Sequence, residues 1–297
     1  MRKKINLCVS VPENGVELLE ILCRSAVSLA SGLNEISLNF TYHTDDTKHA
    51  VIKAVSHILP LQGHKIEREK DNYYHKNSVT HSRCIQKLFE TSDSDITIIC
   101  DNDIALTSKN WDKKIVKYLL KTNFAFVGSA YSNQNCVVPR TMPIVGYKYQ
   151  NIPNCIFCAF ETNRIKNLTK KLCDFHEKYS GKEKYPVRLI NNKDASLESN
   201  LQIGTYQVID AGNLIPALVL NNKLKVRCFK CSTENYQILK SISANTQKFP
   251  SEEYLDGKKS LFAHFKKGSS YFDRTYSVQE FAKDIDDCLT QSLMSAN

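Results

Sequence analysis

Two carboxylates one residue apart, Asp101 and Asp103, follow a run of β-forming residues in "DITIICDNDIAL", residues 95–106. Oxygen ligands this close together suit a hard divalent cation. Mg²⁺ or Mn²⁺ takes one or two carboxylates and completes its shell with water and phosphate oxygens. A cation there would act as a Lewis acid on charge building on a departing diphosphate. The competing reading is a turn or helix cap whose carboxylates only bond backbone amides. Context favours the chemical reading. "ITIIC" has the composition of a strand buried on both faces, and a second strand-like run, "EISLNFTYH", also leads into acids, Asp45 and Asp46.

Other residue groups carry weaker signals. His81 and Arg83 begin the helical stretch before the acidic strand, within reach of a ligand or on a solvated face. Tyr73, Tyr74, His75 and Lys76 form an aromatic and basic cluster that suits stacking on a base or sugar, or a surface loop. Two C-x-x-C pairs, Cys155/Cys158 and Cys228/Cys231, have the ligand spacing of a zinc site. Each lies in a strand-like run, however, where positions three apart point to opposite faces. Buried thiols are the expected outcome. Trp111 is expected to pack the helix after the acidic loop onto the sheet.

The elements that must position these groups follow from the hydrophobic pattern. Residues 4–11, "KINLCVSV", read as a buried strand stopped by Pro12, Asn14 and Gly15. Residues 16–30 carry Val16, Leu19, Leu22, Val27 and Ala30 at helical spacing. A strand then ends near Asp45-Asp46, a helix covers 47–58 before Pro60, and a short strand falls near 64–67. A helix over 78–90, with Ser78 as a candidate N-cap, precedes the strand at 95–100. Such alternation with short connections predicts a parallel α/β sheet, whose ligands bind beyond the carboxyl ends of the strands. The second half is less regular. Strands are predicted at 124–130, 155–162, 205–210 and 223–229, and helices at 164–178, 212–222 (with Pro216 against its interior) and 277–293. No repeat or low-complexity linker interrupts the chain. One domain with two lobes is expected, 1–130 and 131–275, with a C-terminal helix at 276–297.

Composition agrees. The chain has 297 residues, 42% apolar and 24% charged, enough for a real core in a soluble globular protein. The formal net charge of +9 suits an anionic partner such as a nucleotide, a phosphate or nucleic acid. The basic residues are scattered, so a surface that only confers solubility is the alternative. No apolar run approaches the ~18 residues of a membrane span. The apolar run in "MRKKINLCVSVPENG" breaks too early for a signal peptide. No membrane association and a cytoplasmic location are therefore expected. The 11 cysteines, many inside apolar runs (Cys8, Cys100, Cys173), suit reduced thiols rather than a disulfide framework.

Several separated segments together resemble the nucleotide-sugar glycosyltransferases of the GT-A fold. "SVPENG", residues 10–15, is similar to their nucleotide-binding opening and would bring Pro12 and Glu13 to the donor. Asp45 or Asp46 stands where these enzymes place an acid against the nucleotide base. "HSRCIQKLFE" followed by "DITIICDNDIAL" is similar to the segment with the metal-binding D-x-D, with His81, Arg83 and Asn102 beside the donor. Asp103 would be the direct metal ligand and Asp101 a metal or sugar contact. "VIDAGNLIPALVLNNKLKV" resembles the later strand, acid, helix and strand, in which the acid is the catalytic base of inverting members; that acid would be Asp210, with Asp194 and Glu198 as nearby alternatives, and retaining members share the metal site. "FAHFKKGSS" resembles the stretch whose histidine completes the metal site, His264, followed by Lys266, Lys267 and Ser269 at the diphosphate. The resemblance implies a Rossmann-type mixed sheet flanked by helices. Residues 1–130 would form the nucleotide-sugar lobe and 131–275 the acceptor lobe. It further implies Mn²⁺ or Mg²⁺ as cofactor and a nucleotide-diphosphate sugar, foremost a UDP-sugar, as donor.

The acceptor region, 131–200, matches no pattern, although Tyr147 and Tyr149 are candidate acceptor contacts. The net charge suggests DNA bearing a hydroxymethylated base, extruded toward the donor, otherwise a glycan. Two other classes compete. A nucleic-acid-binding protein would explain the charge, but no helix-turn-helix, RRM or OB pattern is present. A nucleotidyltransferase usually needs a Gly-rich phosphate loop after the first strand, and "PENGVE" is a poor one.

Overall fold

The computed structural model describes residues 2–68, 76–130, 152–173, 222–232, 237–239, 251–265 and 277–294, with Gly212, Ile215, Leu218 and Val219 between them. The chain begins β1 (Lys4–Ser10), α1 (Val16–Ser28), β2 (Glu35–Tyr42), α2 (Asp45–Val55), β3 (Leu61–Lys65), α3 (Lys76–Thr91) and β4 (Ile96–Cys100). β1 pairs in parallel with β2 and β4, and β2 with β3. The carboxyl ends of four strands therefore share one edge.

The side-chain period of two sorts the residues of β1 and β4 onto two buried faces, the second of which also carries Asn6 and Thr97. Ile5, Leu7 and Val9 of β1, with Ile96, Ile98 and Cys100 of β4, join Leu19, Leu22 and Ala26 of α1 and Val51 and Val55 of α2 in one core. Cys8 and Ile99 face the other way, onto Ile85, Leu88 and Phe89 of α3. Strands covered by helices on both faces read as continuous apolar runs, as "ITIIC" does.

After β4 come β5 (Ile104–Leu106), α4 (Trp111–Val116), a π-helical turn at Lys117–Lys121, β6 (Phe126–Ala130), β7 (Pro153–Glu161) and α5 (Thr162–Leu168). They are followed by β8 (Val226–Ser232), β9 (Glu252–Asp256), β10 (Lys259–His264) and α6 (Val278–Met294). Among the described residues these strands form one ten-stranded sheet in the order β3-β2-β1-β4-β7-β6-β8-β9-β10-β5. The parallel arrangement predicted from strand–helix alternation stops at β7, which runs antiparallel to both β4 and β6. β6 ends and β7 begins at the same edge, with Ala130 beside Pro153, so no crossover helix is needed. The result is the mixed sheet flanked by helices that the resemblance implies.

β8 joins two parts of the sheet. Its residues Val226 to Phe229 pair in parallel with β6, and Lys230 to Ser232 pair antiparallel with β9. β9 and β10 form a hairpin that turns at Gly257, whose φ of 67° favours a residue without a Cβ. Phe262 of β10 is the hub beneath it. Its ring stacks on Tyr254 at 4.5 Å and on Phe157 at 4.8 Å, and meets Phe229 edge-on at 6.3 Å.

Several expectations change in detail. β5, β9 and β10 are additional to the predicted strands. The helix predicted over 164–178 starts at Thr162 and ends at Leu168. Thr169 takes extended backbone, and its hydroxyl accepts the Lys171 N–H at 3.1 Å, which turns the chain. The predicted strand at 205–210 lies outside the described residues, as does most of 212–222. Trp111 is fully buried in the core beneath the sheet, and its Nε1 donates to the Ala26 carbonyl at 2.8 Å, pinning α4 to α1. The described cysteines are free thiols and none joins a metal-ligand group among the described residues. Burial pushes Cys228 up to about 12, which suits an inert thiol.

Phe262→Ala should cost about 3–5 kcal/mol, the usual range for deleting a buried ring. A urea titration should show the lower midpoint.

Candidate metal and nucleotide site

Asp101, Asn102 and Asp103 leave the carboxyl end of β4, and each is held by a different neighbour. The Asp101 N–H donates to the Ile156 carbonyl of β7 at 3.1 Å. The Asn102 Nδ2 donates to the Gly15 carbonyl at 3.0 Å. The Asp103 carbonyl accepts the Phe265 N–H at 2.8 Å, just past β10. β5 then runs antiparallel to β10 with Ile104 opposite His264. This register brings His264 beside Asp103, although the two are far apart in sequence.

The donor atoms of Asp101, Asp103 and His264 all lie within 4.8 Å of one another. His264 Nε2 is 3.3 Å from Asp103 Oδ1. Ligand atoms on one octahedral ion, at bond lengths of about 2.0–2.2 Å, stand roughly 3–4.3 Å apart. Asp103 and His264 already have that spacing. Asp101 is more exposed and has room to close the set. The fit has a second sign. Asp103 Oδ1 is buried and makes no well-aligned hydrogen bond; it pairs with the His264 imidazole at 3.3 Å, a contact that a shared cation would replace. Two carboxylates with one imidazole suit Mn²⁺ better than Mg²⁺, which prefers an all-oxygen shell.

Behind His264 stands Glu252 of β9, its cross-strand neighbour. Glu252 Oε2 lies 3.4 Å from His264 Nδ1 and accepts the Tyr254 hydroxyl at 2.9 Å. The residue reading of the sequence missed Glu252. The signal was present in "SEEYLDGKKSLFAHF", where Asp256-Gly257 is a hairpin-turn dipeptide ahead of an apolar, strand-like run. Burial alone would push the His264 imidazolium toward losing its proton. The carboxylates of Asp103 and Glu252 outweigh burial and raise its pKa from 6.5 to about 10.

The other predicted residues are placed as follows. His81, near the start of α3, has Nε2 3.8 Å from Asp101 Oδ1, so it borders the metal group. Arg83 is half-buried on the same helix. Pro12, Glu13 and Gly15 form a turn after β1, closed by the Gly15 N–H to the Pro12 carbonyl at 3.0 Å. Glu13 pairs with Arg68, beyond β3, at 3.1 Å. Asp45 and Asp46 open α2 rather than close β2, after the Thr44 cap. Asp45 is exposed and bonded to Lys65 at 3.0 Å, and that bond lowers its pKa. Asn102 faces Gly15, so its amide holds the loop. Asp194, Glu198, Asp210, Lys266, Lys267 and Ser269 lie outside the described residues, as do Tyr73, Tyr74, His75, Tyr147 and Tyr149.

No protein-family profile and no curated protein matches the sequence. Among solved structures, the chain is similar to the mannosyltransferase PcManGT from Pyrobaculum calidifontis in complex with GDP-Man and Mn²⁺. The identity is 16% and the TM-score 0.40, over 57% of this chain and 47% of that one. It is also similar to S. aureus TarS 1–349 in complex with UDP, with 13% identity and a TM-score of 0.37 over 55% of this chain and 48% of that one. The chain thus spans about half the length of each. Similarity this low does not carry chemistry across, which rests on the geometry of the site.

Two outcomes test this geometry. A Cβ on Gly15 would stand 2.4 Å from Asn102 Nδ2 and 2.8 Å from the Pro12 ring. Gly15→Ala should therefore cost about 1–3 kcal/mol in chemical denaturation, and adding Asn102→Ala should recover part of that loss. A metal binding His264 Nε2 must displace its proton. Mn²⁺ affinity should rise by up to about tenfold per pH unit between pH 6.5 and 8.5, read by electron paramagnetic resonance of free Mn²⁺. The slope should vanish in His264→Ala.

Proposed function

We propose that this protein is a divalent-metal-dependent glycosyltransferase that moves a sugar from a nucleoside-diphosphate sugar to an acceptor hydroxyl. One observation carries the reading. Asp101, Asp103 and His264 converge within 4.8 Å at the edge where four parallel strands end, with buried Asp103 and His264 3.3 Å apart. That edge is where α/β sheets bind ligands. A cation held by these residues would supply electrostatic stabilisation of the departing diphosphate.

The chain's own residues do the positioning. Asp103 and His264 fix the inner side of the site, and Asp101 faces outward toward the sugar. The Asn102–Gly15 bond holds the loop after β1 against the acidic turn, so a diphosphate would lie between them. Pro12 and Glu13 would border the nucleotide, with Asp45 or Asp46 against its base. Lys266, Lys267 and Ser269 follow β10 directly and would contact the diphosphate. If transfer inverts the anomeric centre, Asp210 would accept the proton of the acceptor hydroxyl, late in the transition state as suits a weak base. Mn²⁺ is the favoured cation and a UDP-sugar the first donor to try. The net charge of +9 makes DNA with a hydroxymethylated base the first acceptor to try, ahead of glycans.

The test is turnover of a panel of nucleotide sugars with Mn²⁺, with EDTA and with Asp103→Ala. The expected result is release of a nucleoside diphosphate from one donor, abolished by EDTA and reduced about 100-fold or more by Asp103→Ala. Pyrophosphate release from nucleoside triphosphates would instead point to nucleotidyl transfer. No metal-dependent turnover of any donor, together with tight salt-sensitive DNA binding, would replace the enzyme reading with a binding protein.

A further inference from the structure

Glu252 makes contacts that a cross-strand neighbour does not need in order to fill space. It is 2% exposed, and His264 is 7% exposed. Its Oε2 is shared between His264 Nδ1 at 3.4 Å and the Tyr254 hydroxyl at 2.9 Å. The next residue shows how firmly the strand is set. Glu253 points to the opposite face and accepts the backbone N–H groups of Gln237, Ile238 and Leu239 at 3.0, 2.6 and 2.8 Å. Because alternate residues of a strand face opposite ways, that anchor fixes Glu252 toward His264. Tyr254 in turn is stacked on Phe262, so the carboxylate is held from behind by a rigid ring.

We propose that Glu252 is a positioning residue that orients His264 and thereby sets the metal preference of the site, Mn²⁺ over Mg²⁺. This rests on the reading that Asp101, Asp103 and His264 hold a divalent cation. The physical steps are short. When Nδ1–H donates to Glu252, the lone pair of the ring is placed on Nε2, the atom 3.3 Å from Asp103 Oδ1. The carboxylate also fixes the ring plane and strengthens that lone pair. Mn²⁺ takes an imidazole readily, whereas Mg²⁺ is held mainly through carboxylates and water. Loss of Glu252 therefore falls on the ion that uses the imidazole. A role confined to packing would weaken both ions alike.

The experiment uses the full chain and metal alone, without nucleotide. Mn²⁺ binding is read by electron paramagnetic resonance and Mg²⁺ by competition, for the wild type, Glu252→Ala, Glu252→Gln and Asp103→Ala. Glu252→Ala should weaken Mn²⁺ about 10–100-fold and Mg²⁺ less than about threefold. Glu252→Gln keeps an acceptor for Nδ1 but drops the charge, and should lose only about three- to tenfold in Mn²⁺. If thermal melting shows that Glu252→Ala does not fold, Glu252→Gln carries the comparison. Unchanged Mn²⁺ affinity in the folded variant, or an equal loss for both ions, overturns the proposal while the metal site stands. Wild-type Mn²⁺ affinity in Asp103→Ala overturns the metal site itself, and the proposal with it.

Discussion

The site depends on one short strand pairing. β5 has three residues, and its register on β10 sets Leu106 against Phe262, Ala105 against Ala263 and Ile104 against His264. The Phe265 N–H to the Asp103 carbonyl, at 2.8 Å, extends that ladder into the acidic turn. A slip of one residue would bring Ala263 or Phe265 to the position of His264 and reverse every side chain on β10. Neighbours secure the register. The Leu106 N–H donates to Ser25 Oγ of α1 at 3.0 Å. On the other side of β10, Phe262 is clamped between the rings of Tyr254 and Phe157. Packing thus decides which histidine meets which aspartate.

The buried acids show why Asp103 stands apart. Asp112 accepts the Ser31 backbone N–H at 2.8 Å and the Asn34 amide at 2.7 Å. Asp256 is held by Arg227 at 2.6 Å and by the Tyr118 hydroxyl at 2.8 Å. Glu253 takes three backbone N–H groups. Each of these carboxylates is satisfied by the protein, as buried charges generally are. Asp103 has the His264 imidazole nearby and an Oδ1 with no well-aligned hydrogen bond. Asp103 differs from them in that its near partner is His264, itself a member of the candidate metal group.

Much of the parallel part of the sheet, β1 to β4, was legible in the sequence because its order is local. "KINLCVSV" and "ITIIC" are mostly apolar and buried on both faces, with Asn6 and Thr97 hydrogen-bonded on one of them, as suits strands covered by helices on both sides. The acidic turn was legible as a candidate ligand group for the same reason, since Asp101 and Asp103 follow a strand of clear composition. His264 was reached only through the family resemblance, because no local pattern announces a pairing between segments so distant. Glu252 was not reached at all. Its role exists only once β9 lies beside β10, and in the sequence it is one of two neighbouring glutamates with opposite fates. The short strand β5 was hidden because Ile104, Ala105 and Leu106 read equally well as the start of a helix, and only β10 decides between the two.

The middle residue of the acidic triplet explains why the metal group and the loop after β1 belong together. Asn102 directs its amide away from the carboxylates beside it and onto the Gly15 carbonyl. A Cβ on Gly15 would stand 2.4 Å from that amide nitrogen, so the approach demands glycine. Asp101 and Asp103 belong to the candidate metal group, while Asn102 ties their turn to the loop between β1 and α1. A displacement of the acidic turn must therefore pull on that loop, and a ligand that presses on the loop must load the turn. The alternation acid–amide–acid makes one turn serve both duties. The outer residues belong to the candidate metal group, and the inner one ties their turn to the neighbouring loop.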